Sequence, residues 1–72
     1  MKVYTVMREY RESDILVLAT ASYEQALDTY HRQINLMNKR IFINAIGVRL
    51  LEWEKEKATT LQYKEIQKIF KK

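Results

Sequence analysis

Apolar and polar positions alternate from the start of the chain. Val3, Thr5 and Met7 interleave with Lys2, Tyr4, Val6 and Arg8, and β-branched or aromatic residues dominate. That period of two predicts a strand with one wetter face. Residues 9–14 are polar and charged apart from Tyr10, which suits a hairpin connection, and the short apolar run 15–19 predicts a buried second strand antiparallel to the first. The period then changes. Ser22-Tyr23-Glu24-Gln25 is a capping box, with serine as N-cap and glutamine three residues on. Behind it Tyr23, Ala26, Leu27, Tyr30, Ile34 and Met37 recur at helical spacing, predicting an amphipathic helix over 22–38. Glu24 and Asp28 near its start, and Lys39 and Arg40 after its end, suit the helix dipole.

Residues 41–43 return to strand character, and 44–57 support two patterns. Glu52, Glu54 and Glu56 interleave with Trp53, Lys55 and Lys57 as on an exposed strand, while Ile46, Leu50 and Trp53 would share one helical face. The reading favours a long third strand, bent or bulged near Gly47, and leaves the helix over 46–57 as the alternative. Thr59-Thr60-Leu61-Gln62 repeats the capping-box spacing with Thr59 as N-cap. It predicts a second helix carrying Tyr63, Ile66, Ile69 and Phe70 on one face and Lys64, Lys68, Lys71 and Lys72 on the other. The expected fold is a single α+β domain over 1–72, ordered β-β-α-β-α, a three-stranded, mainly antiparallel sheet packed by two helices.

Composition narrows the chemistry. The 72 residues contain no cysteine and no proline, one glycine and one histidine. Disulfides, a thiolate nucleophile and cysteine-ligated metals are excluded, as is a glycine-rich phosphate loop. A chain of this length buries only about 60–65% of the surface exposed by its unfolded form, so homodimerisation is an option on size alone. The apolar runs are too short for a signal peptide or a membrane helix, and the expected location is the cytoplasm.

The opening MKVYTV, a charged turn closing on Ser13-Asp14, the strand ILVLAT and the helix start Ser22-Tyr23-Glu24-Gln25-Ala26 together resemble a group of small uncharacterised proteins encoded by phages and prophages of Gram-positive bacteria. The resemblance covers residues 1–38 and its motifs are structural. It implies an accessory phage protein and supplies no functional residue.

The candidate sites are few. His31 sits beside the helix stripe near Asp28 and Asn35, where a boundary histidine needs no catalytic role, so no catalytic residue is assigned. Glu52, Glu54 and Glu56 read as a solvated strand face with Lys55 and Lys57 close by. Glu9, Glu12 and Asp14 lack the glycine and spacing of a calcium loop, so neither a metal nor a cofactor is expected. The net charge is +4, and Lys64, Lys68, Lys71 and Lys72 face only Glu65 at the C-terminal end. With Arg49 they form a candidate sequence-independent nucleic-acid surface. Five tyrosines and one tryptophan in so short a chain point to a protein interface, for which Tyr4, Tyr10 and Trp53 are the candidates. The leading expectation is a small non-enzymatic interaction protein that binds another protein or itself and takes no small-molecule substrate. Nucleic-acid binding through the lysines is the alternative.

Overall fold

The computed structural model describes residues 1–39 and 44–65. The elements are β1 (Lys2–Tyr10), β2 (Asp14–Thr20), α1 (Tyr23–Asn38), β3 (Ala45–Glu54) and β4 (Lys57–Glu65). They form one four-stranded antiparallel sheet in the order β2-β1-β3-β4. The small α+β architecture stands, but the predicted β-β-α-β-α order with three strands and two helices does not: the chain is β-β-α-β-β with a single helix.

The correction falls on residues 57–65. Thr59 caps no helix there; 57–65 run as a strand against β3. Two adjacent threonines and Tyr63 favour extended backbone, and a ready strand edge supplies their hydrogen-bonding partners. The turn at Lys55-Glu56 escaped notice because it contains no glycine. Lys55 itself takes the positive φ, 60°, at the first central position of the two-residue hairpin. Over 45–54 the strand reading of the ambiguous stretch is the right one. Ile66, Lys68, Ile69, Phe70, Lys71 and Lys72, like the strand predicted over 41–43, lie outside the described residues.

α1 begins where its cap predicts. The Ser22 hydroxyl accepts from the Gln25 amide at 3.1 Å. The reciprocal half of the box is rerouted, because Thr20 accepts from the Ser22 amide at 3.1 Å and its hydroxyl donates to the Gln25 side chain at 2.7 Å. The helix packs over β1, β2 and β3. Its Ala26, Tyr30 and Met37 meet Val6, Ala45, Val48 and Leu50 in the core, with Tyr4, Tyr10, Leu18 and Ile34 packed around them.

Three irregularities fix which side chains face the helix. Each ladder contains one unmatched residue: Val17 in β2, Ile46 in β3 and Leu61 in β4. β1 contains none, so it alternates without a break. Tyr4, Val6, Arg8 and Tyr10 point to α1, and Arg8 reaches Gln33 on the helix at 2.8 Å. Val3, Thr5, Met7 and Glu9 point to the opposite face, which no described element covers. β3 follows in register, with Val48 and Leu50 towards the helix and Gly47, Arg49, Leu51 and Trp53 on the uncovered side.

Candidate functional site: the uncovered sheet face

The uncovered face is a grid of cross-strand rows. Val3, Trp53 and Ala58 form the first row, and Ala19, Thr5, Leu51 and Thr60 the second. Leu16, Met7, Arg49 and Tyr63 form the third; Asp14, Glu9, Gly47 and Glu65 close the far end. Apolar side chains thus occupy most of the first three rows and carboxylates the last. Trp53 is 39% exposed, Val3 37%, Leu16 55% and Tyr63 46%. Trp53 is held in place by its indole N–H, which donates to the Thr5 hydroxyl at 3.0 Å across the β1–β3 ladder.

At the polar end Glu9 is compensated, and Asp14 and Glu65 leave the row acidic. Glu9, only 8% exposed, pairs with the Arg49 guanidinium. Arg49 in turn stacks over the Tyr63 ring, 5.3 Å from its centroid. The Tyr63 hydroxyl lies towards the same Glu9 carboxylate. Burial holds the Tyr63 phenol above its ordinary value, and the neighbouring Glu9 charge and hydrogen bond push the same way. Gly47 makes this possible: a Cβ there would meet the Tyr63 hydroxyl at 3.0 Å and the Lys64 carbonyl oxygen at 3.0 Å. The bare backbone lets the tyrosine lie flat across β3 to reach β1.

Compared with known proteins, the chain matches no family model, no curated protein and no solved structure.

The three predicted interface aromatics do not share a surface. Trp53 is on the uncovered face. Tyr4 and Tyr10 are half-buried on the helix side, where Tyr4 meets Tyr23 edge-on at 5.4 Å and Tyr10 accepts from the Arg8 guanidinium at 2.9 Å. Strand parity decides this, since positions 4 and 10 share it with Val6. The predicted cations separate as well. Arg49 is on the uncovered face, whereas Lys64, opposite Val48, points to the helix side. Lys68, Lys71 and Lys72 lie outside the described residues.

His31 is exposed, with its ring 5.4 Å from that of Tyr30. Glu52 pairs with Lys2 at 3.3 Å, and their hydrogen bond and charge attraction raise the Lys2 pKa. Glu56 sits in the turn. Among the described residues, no group of three His, Cys, Asp or Glu side chains is arranged to hold a metal ion, and no helix is long and apolar enough to cross a membrane. Sequence reasoning missed Leu16, Met7, Tyr63 and the Glu9–Arg49 pair. The apolar alternation at 3, 5 and 7 was the available signal, because it gave the first strand two largely uncharged faces.

Proposed function

We propose that this chain is a small non-enzymatic interaction protein, a phage or prophage accessory, whose uncovered sheet face is its contact with another protein chain. The phage assignment rests on the resemblance over residues 1–38. The binding assignment rests on one observation: a half-exposed apolar face whose only cation among the described residues, Arg49, is already satisfied by Glu9. From the exposures above, the face offers roughly 400 Å² of apolar surface, the size at which a patch on a monomer is often functional. Tryptophan and tyrosine dominate it, as they dominate interface hot spots.

The test is capture from host lysate by the tagged full chain and by Trp53→Asp, with and without nuclease, under conditions where circular dichroism shows both to be folded. The reading expects a defined protein that survives nuclease and is lost with Trp53→Asp. Capture that vanishes with nuclease favours the lysine-based nucleic-acid alternative. Capture unchanged by Trp53→Asp overturns the face.

A further inference from the structure

We propose that the uncovered face pairs with the same face of a second copy, about a two-fold axis running across the strands midway between the Thr5–Leu51 and Met7–Arg49 rows. This rests on the reading of the face as a protein contact and names the occupant. Its ground is self-complementarity. In a closed dimer, a surface patch must fit itself. Rotation about that axis lays each strand antiparallel over its own counterpart, so the second row meets the third and the first meets the fourth.

On β2, β1 and β4 a small residue then faces a large one, while on β3 Leu51 lies over Arg49 of the partner subunit. Ala19 lies over Leu16 of the partner subunit, Thr5 over Met7 of the partner subunit, and Thr60 over Tyr63 of the partner subunit. Alternating small and large side chains across facing layers is how two sheets interdigitate. Trp53 falls on the Gly47 position of the partner subunit, where the flat Tyr63 ring provides an aromatic floor. Charge selects the same axis. Asp14, Glu9 and Glu65 all lie in the last row, on strands β2, β1 and β4. An axis along the strands would stack the two acidic rows, placing Asp14 over Glu65 of the partner subunit. The axis across the strands sends those rows to opposite ends of the interface, where each faces the uncharged first row of the other copy.

Size sets the strength. Four strands about 4.8 Å apart and four rows about 6.8 Å apart give a face of roughly 500 Å². Two such faces bury on the order of 1,000 Å², near the floor for a specific interface, so the dimer forms and dissociates readily with concentration.

Sedimentation equilibrium of the full chain is the first experiment. The weight-average mass rises from the 8.7 kDa of one chain towards twice that value as concentration increases. Trp53→Asp and the edge-strand variant Leu16→Glu hold it at 8.7 kDa. Leu16 is exposed, so this second variant keeps the core intact if the first unfolds. Orientation is read separately, because the chain has no cysteine of its own. When equal amounts of Ala19→Cys and Leu16→Cys chains carrying different tags are mixed with a short bis-maleimide, the unlike product should exceed the sum of the two like products, which is the share random pairing gives. An unlike product no greater than that sum overturns the axis, and a dimer that survives both charge variants overturns the face as its seat. A chain that stays monomeric with Trp53 open to an aqueous quencher overturns self-pairing alone, because the capture experiment decides the wider reading independently.

Discussion

Gly47→Ala tests whether the Glu9–Arg49–Tyr63 arrangement is built as described, because two effects of opposite sign meet there. Gly47 does not have a positive φ, so the backbone itself accepts alanine. Reduced freedom of the unfolded chain would then stabilise the variant by about 0.4–1 kcal/mol. Against this, the new methyl carbon would sit 3.0 Å from the Lys64 carbonyl oxygen, 3.0 Å from the Tyr63 hydroxyl and 3.1 Å from a Tyr63 ring carbon. The carbonyl belongs to the β3–β4 ladder and cannot retreat without loosening it. The tyrosine can move, but only by leaving Glu9.

Overpacking of this kind costs about 1–3 kcal/mol, so the net expectation is a loss of about 1–2 kcal/mol. A 72-residue domain has roughly 4–11 kcal/mol in all, which makes that a large fraction. The corresponding fall in melting temperature is about 4–16 °C. Urea unfolding followed by circular dichroism measures it, and Tyr63→Ala completes a double-mutant cycle. With the ring gone only the Lys64 contact remains, so Gly47→Ala should cost less in that background. A Gly47→Ala protein as stable as the parent, or a penalty that Tyr63→Ala leaves unchanged, refutes the packing.

Three further predictions concern the fold. Lys55→Gly should raise stability by about 0.5–1 kcal/mol, because relief at a positive-φ position outweighs the greater freedom of unfolded glycine; a lower urea midpoint would contradict the hairpin geometry. Ser22→Ala should cost about 1 kcal/mol in the same assay, and Thr20→Val a comparable amount through the rerouted half of the cap. Burial raises the Tyr30 pKa above 10.0, so the stability from its neutral phenol is complete below pH 10.0 and is lost as pH rises through the folded value. Tyr30→Phe should therefore lose less stability than the parent between about pH 9 and 11, measured by urea midpoints.

Local signals in the sequence identified the first hairpin and the helix, since period-two alternation and a serine cap act within a few residues of themselves. They failed at 57–65, where a helical cap pattern competed with a strand edge supplied by residues 45–54. Thr59 and Gln62 have capping-box spacing, but nothing within four residues reveals that β3 is waiting as a partner. Side-chain facing was legible only as far as register was. Tyr4 and Tyr10 looked interchangeable with Trp53 by residue type, and strand parity separated them. The Glu9–Arg49–Tyr63 constellation joins three strands from residues 9 to 63, and no motif of fixed spacing carries such a contact. Its one local trace was the lone glycine, read only as a bend or bulge.

That constellation also separates two uses of Arg49. As a phosphate contact, an arginine works mainly as a charge, and lysine is an adequate substitute at a sequence-independent site. As a clamp between β1 and β4, it needs the broad guanidinium, which pairs with the Glu9 carboxylate while its central carbon lies over the Tyr63 ring. β4 has the greater need of the clamp, because all nine of its residues are exposed. Arg49→Lys distinguishes the two. The ammonium preserves the net charge of +4 but cannot stack and pair in the same plane. The expected cost is about 1 kcal/mol, discounted because the arginine is partly exposed. Hydrogen exchange should locate that loss in the β3–β4 ladder, with the helix amides little changed. Unaltered protection in β4, together with unaltered unfolding, would remove the clamp and return Arg49 to the list of available surface cations.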